Sequence, residues 1–251
     1  MSTNRISLQD VNLHYSSVGF RDRSLKAWLS RVFHTKSGHA EIHDVHALKN
    51  VNVEIRAGER VGLLGHNGAG KTTFLKMLAG LYPISGGRRL VDGTIRSLFD
   101  LSLGFEPDAS GRENILYRGL LLGLAPRYMR SLESEIVAFA DLGEFIDYPI
   151  KTYSAGMQVR LAFAISTAVG GDVLLLDEVI GVGDEDFMKK AKQRIHSLID
   201  RSEILVLATH DVSSLSSLCD RALVFDHGAL IFDGSVDAAI AAYRISQASV
   251  T

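Results

Sequence analysis

Residues 65 to 72 read Gly65-His66-Asn67-Gly68-Ala69-Gly70-Lys71-Thr72, with a further threonine at Thr73. Glycines at this spacing let a backbone turn its N–H groups inward around phosphate oxygens, and a helix starting there adds the positive end of its dipole. Lys71 is then placed to reach β- and γ-phosphates, and Thr72 to offer its hydroxyl to Mg²⁺. An NTPase also needs a carboxylate near that metal, at the carboxyl edge of a sheet. Asp177 follows the apolar run Val173-Leu174-Leu175-Leu176, and Glu178 comes next. Asp177 is expected to hold the metal and Glu178 to orient or deprotonate the attacking water. The expected ligands are a nucleoside triphosphate and Mg²⁺.

These residues need a sheet that delivers them to one edge. Alternation through Ile6, Leu8, Val11 and Leu13, and through Leu48, Val51, Val53 and Ile55, predicts an antiparallel flank. Arg60 to Gly65 predicts a buried strand and Lys71 to Ala79 a helix, so the glycine loop joins strand to helix. Residues 113 to 147 have helical spacing, and strand signals return at Val173 to Leu176 and Ile204 to Leu207. The expected fold class is α/β, one domain over 1–251, with a helical subdomain over about 100–150.

Of the 251 residues, 46% are hydrophobic and 22% charged, enough for a sizeable core. The net charge of -2 lacks the basic bias of a general nucleic-acid binder, so no nucleic-acid partner is expected. Cys219 is the single cysteine, which excludes an internal disulfide, and it reads as a small buried side chain within a helix. No N-terminal apolar stretch resembles a signal peptide, and no run approaches the roughly 20 apolar residues that cross a bilayer.

Tyr153-Ser154-Ala155-Gly156-Met157-Gln158 stands just ahead of a helix that runs into the Asp177 strand. Here the chain resembles the ATP-binding-cassette family, whose signature Leu-Ser-Gly-Gly-Gln is matched at Ser154, Gly156 and Gln158. It departs at Tyr153, Ala155 and the bulky Met157. The resemblance implies a P-loop ATPase in which Ser154 and Gly156 cap the γ-phosphate held by a second copy, so a homodimer sandwiches two nucleotides. It further implies that His210, in Thr209-His210-Asp211, senses the γ-phosphate, and that Asp184 belongs to a loop crossing the dimer interface. Tyr15 resembles the aromatic that stacks on adenine, with a core position in the first hairpin as the alternative and His46 as a poorer stacking substitute. The family's Q-loop glutamine is missing; Asp100, in Ser97 to Ser102, stands nearest its position and is expected on the metal side.

Within the family, Gly104 to Ile115, Tyr153 to Met157 and Asp177 to Asp184 resemble bacterial exporters of lipid-linked O-antigen, capsule or teichoic acid chains. That resemblance implies two transmembrane permease subunits as partners, a lipid-linked polysaccharide as cargo, and a peripheral place on the cytoplasmic face of the inner membrane. Some members carry a further carbohydrate-binding domain; with the last helix near Val236 to Ile245, none is expected before Thr251. Drug or small-lipid export is the alternative cargo, and a soluble cassette acting on DNA or ribosomes a more distant one. Residues 16–45 form a basic insertion. Arg21, Arg23, Lys26 and Arg31 surround Leu25, Trp28, Leu29, Val32 and Phe33 at helical spacing. Anionic headgroups or the substrate's pyrophosphate would suit this segment, against the alternative of a helix packed on the cassette with a solvated basic face.

Overall fold

Side chains alternate across a strand, so a fully apolar strand must be covered on both faces. The computed structural model, which describes residues 4–17, 43–99, 104–177 and 185–248, is built on strands of this kind. Strands β3 (Arg60–Leu64), β6 (Val173–Asp177), β7 (Ile204–Ala208) and β8 (Arg221–Asp226) form the centre of a nine-stranded sheet. One face of these strands buries Val61, Leu63, Val173, Leu175, Val206 and Phe225 against Phe74, Leu75 and Leu78 of helix α1 (Lys71–Leu78). The other buries Leu64, Leu174, Leu176, Leu205 and Val224 under Leu198, Leu215 and Val236.

The remaining strands are β1 (Arg5–Ser17), β2 (His43–Arg56), β4 (Gly86–Asp92), β5 (Ile95–Ser97) and β9 (Ala229–Ser235), in the order β4-β1-β2-β9-β8-β3-β7-β6-β5. β3 runs parallel to β7 and β8, and β6 parallel to β5 and β7. β1 is antiparallel to β2 and β4. The two parts join where Lys49 of β2 pairs with Ala229 of β9. This is the α/β arrangement of parallel core and antiparallel flank, with β4, β5, β8 and β9 added to the strands that periodicity predicted. The flanking strands also run further than expected. Ser16 pairs with Asp44 and Ser17 with His43, so both ends of the 16–45 segment belong to the hairpin. Residues 18–42, with Arg21, Arg23, Lys26, Trp28 and Arg31, lie outside the described residues.

The helical part comprises α2 (Gly111–Leu121), α3 (Pro126–Ala140) and α4 (Ala155–Ala168), with 3₁₀ turns at Gly143–Asp147 and Ile150–Thr152 between α3 and α4. The predicted helical run is therefore interrupted. Gly123, at φ +74°, ends α2 before Pro126 opens α3. Ser110 starts α2 with a capping box, its hydroxyl accepting from the Glu113 N–H while the Glu113 carboxylate accepts from the Ser110 N–H. Asn114 is fully buried yet satisfied: Oδ1 accepts from the Glu106 N–H, and Nδ2 donates to the carbonyls of Glu106, Ala109 and Ser110. Ile115, Met129, Ile136, Ile146, Leu161 and Ile165 form a separate core here.

Helix α5 (Glu185–Arg201) leads into β7, α6 (Val212–Leu218) into β8, and α7 (Val236–Ala248) follows β9. Cys219 is the residue after α6 and not within it, although it is buried as expected, and burial pushes its thiol up to about 12. No helix among the described residues is long and apolar enough to cross a membrane.

Candidate functional site

The phosphate loop leaves β3 at its carboxyl end, between the ends of β7 and β8, where open α/β sheets place ligands. Gly65 has φ +151°, and a Cβ there would lie 2.5 Å from the Phe225 carbonyl oxygen. Gly68 and Gly70 also have positive φ, at +83° and +110°, so the loop bends as glycine permits and side-chain-bearing residues resist. Gly70 is the N-cap of α1 and makes no side-chain cap. The first-turn N–H groups of a helix have no intrahelical acceptor, so those of α1 can face an anion. Lys71 is buried, with Nζ donating to the carbonyls of Gly65 (2.6 Å) and His66 (3.1 Å).

A cleft of about 510 Å³ opens over this loop, lined by Asn67, Gly68, Gly70, Lys71, Thr72 and Thr73 together with Tyr15, Asp177 and His210. Gly65 and Ala69 are buried beneath the loop and His66 is half-buried on its flank. Asp177 ends β6 opposite Ala208 of β7, and Ala208 also pairs with Leu63 of β3. Adjacent parallel strands thus carry the loop, His210 and Asp177 to one edge. The exposed Thr72 hydroxyl and the Asp177 carboxylate are oxygen donors, the kind a hard cation such as Mg²⁺ selects. Glu178, Asp184 and Asp100 lie outside the described residues.

Tyr15 occupies the cleft wall, but its hydroxyl is 3.3 Å from Thr73 Oγ1 and its ring meets Tyr82 edge-on at 5.3 Å. It is thus both a cleft residue and part of the packing beside the first hairpin. Burial raises its phenol above the usual range. His46 also lines the cleft, stacked on His14 at 4.0 Å with Nε2 2.8 Å from Asn12 Oδ1.

Ser154, Gly156 and Gln158 are not among the cleft-lining residues. Ser154 instead caps α4, its hydroxyl 3.3 Å from the Met157 N–H, and a Cβ on Gly156 would meet the Ser154 Oγ at an ordinary contact distance of 3.9 Å. Tyr153, where the family usually has leucine, turns inward and donates to the Phe145 carbonyl at 2.6 Å.

Lys49, Val45, Ala47, His227 and Gly228 line the cleft without having been singled out in the sequence. His227 and Gly228, at φ +44° and +83°, form the two-residue turn between β8 and β9, as a type I′ hairpin requires. The Asp226-His227-Gly228 turn was visible as a local signal. Its position beside a loop some 160 residues earlier was not. There Gly228 N–H donates to Ala69 O (2.9 Å), and Gly228 O accepts from Lys49 N–H (2.8 Å).

The glycine loop, its buried lysine and a carboxylate two strands away define a P-loop nucleotide-binding α/β protein. A family model described as ABC transporter matches residues 48–181, over half of the chain. The O-antigen export system ATP-binding protein RfbE of Yersinia enterocolitica is 40% identical over 232 residues, 91% of this chain and 97% of that protein. RfbB of Myxococcus xanthus, bearing the same description, is 39% identical over 97% of this chain, which spans 56% of its length. The teichoic acids export ATP-binding protein TagH of Lactococcus lactis is 36% identical over 80% of this chain and 43% of its own length. Among solved structures, the dimeric post-hydrolysis ATP-binding cassette MJ0796 bound to ADP and Pi has the same fold. Its TM-score is 0.66 and its identity 21%, covering 92% of this chain and 98% of that one. The chain belongs to the ABC transporter family and is an ATP-hydrolysing ATPase of that family.

Proposed function

We propose that this chain powers export of a lipid-linked polysaccharide of the O-antigen, capsule or teichoic acid type across the cytoplasmic membrane. The supporting observation is near full-length similarity to an O-antigen export ATP-binding protein, over 97% of that relative. In this reading two copies face each other, with Ser154 and Gly156 of one completing the nucleotide site of the other. The surface position of Ser154 at the N-terminus of α4, outside its own chain's cleft, supports that reading.

The loop N–H groups and Lys71 bind the phosphates of ATP, while Thr72 and Asp177 would hold Mg²⁺. When bound, the ion neutralises charge on the transferring phosphoryl group. Glu178 orients and deprotonates the attacking water, and His210 contacts the γ-phosphate side. The ATPase docks on two transmembrane permease subunits and sits peripherally on the cytoplasmic face of the membrane.

The test is Glu178→Gln in the native host. Cells relying on it should lose surface polysaccharide and accumulate the lipid-linked chain inside, while the purified variant retains ATP without turnover. Unchanged surface polysaccharide in a strain deleted for the gene would refute the cargo.

A further inference from the structure

We propose that His66, Asp226 and His227 form a binding site for a borderline divalent transition-metal ion, represented by Zn²⁺, on the flank of the phosphate loop. His66 Nδ1 is 2.8 Å from the Asn67 carbonyl oxygen, which can only accept, so Nδ1 carries the proton. In a neutral ring Nε2 then presents a lone pair. It points at another acceptor, Asp226 Oδ1, at 3.0 Å. A cation between the two satisfies both. An imidazole that donates its other N–H to a backbone carbonyl is also the usual arrangement of a metal-ligating histidine.

His227 supplies the third ligand. Its Nε2 is 3.8 Å from the same Asp226 oxygen, and the ligand atoms of all three residues lie within 4.8 Å of one another. Ligands about 2.1 Å from a tetrahedral Zn²⁺ are about 3.4 Å apart, so small side-chain rotations close this set. Side-chain exposures of 39%, 35% and 73% for His66, Asp226 and His227 leave access for the ion and for water as a fourth ligand.

The scaffold is fixed. Asp226 ends β8, His227 sits in the tight β8–β9 turn, and the following Gly228 is hydrogen-bonded to both Ala69 and Lys49. The site is separate from that of the hard cation: Asp226 is on the β8 side of β3, whereas Asp177 is on the opposite side, beyond β7. Two imidazoles and one carboxylate suit Zn²⁺, Cu²⁺ or Ni²⁺ better than Mg²⁺. A bound ion would tie the hairpin turn to the second residue of the phosphate loop.

The test is a Zn²⁺ titration of the full chain without nucleotide against a chromophoric chelator, with Co²⁺ absorption reporting ligand geometry. Wild type should bind one equivalent that His227→Ala and Asp226→Asn each weaken at least about tenfold, the lower end of what loss of a mere supporting contact costs. His14→Ala should keep it, and circular dichroism establishes that each variant is folded. Equal binding by wild type and both site variants overturns the proposal. So does absence of the equivalent in wild type.

Discussion

The Lys71 ammonium lies 2.6 Å from the carbonyl oxygen of Gly65, the residue that opens its own loop. The lysine therefore braces the loop from inside, with its charge buried beneath the expected phosphate position. Lys71→Ala removes a preorganised donor and should lower kcat by at least about a hundredfold. Phosphate release measures this, and a variant with more than a tenth of wild-type turnover would contradict the assigned role.

Gly65 approaches β8 too closely for any side chain. In Gly65→Ala the Cβ would stand 2.5 Å from the Phe225 carbonyl and 2.9 Å from the Ala69 methyl, at a φ of +151°. The loop must shift, at about 1–3 kcal/mol. Urea unfolding should report that loss, and equilibrium binding of a fluorescent ATP analogue a weaker affinity.

Tyr153 and Gly111 are matched. A Cβ on Gly111 would fall 2.2 Å from the Tyr153 hydroxyl, which is held by the Phe145 carbonyl. Tyr153→Phe should cost about 1 kcal/mol for the lost hydrogen bond, and Gly111→Ala about 1–3 kcal/mol for the clash. The double variant should be more stable than the sum predicts, by about 0.5 kcal/mol or more. Strict additivity in denaturant melts would argue against the contact.

Asp211, beside His210, caps α6 by accepting from the N–H groups and hydroxyls of Ser213 and Ser214. Those bonds, the Ser214 hydroxyl first, lower its carboxyl to about 2. A depressed folded-state value means stability that is present above the ordinary carboxyl range and lost as pH falls through it towards about 2. Wild type should therefore lose stability relative to Asp211→Asn between about pH 4 and pH 2, read from paired acid-unfolding curves. Parallel curves over that window would refute it.

The sequence by itself determined whatever depends on neighbours along the chain. Glycine spacing before Lys71 defined the phosphate loop, and the four apolar residues before Asp177 defined a strand that ends on an acid. Alternation found β1 and β2, and short continuous apolar runs found β3, β6 and β7, because both patterns are recorded within a few residues. The short strand β5 and the half-exposed strands β4 and β9 carry weaker patterns and emerged only through their pairing.

Tertiary structure decided which distant residues share the cleft. Lys49 and His227 reach it because β2 meets β9 at one pair and the β8–β9 turn hydrogen-bonds to the phosphate loop. It also turned the Tyr15 hydroxyl toward Thr73 and kept Ser154 away from its own chain's cleft. Strand order and register set these positions, and they arise from contacts between segments far apart in sequence, which no local spacing encodes. The phosphate loop was legible from its own eight residues; its neighbours across the sheet were not.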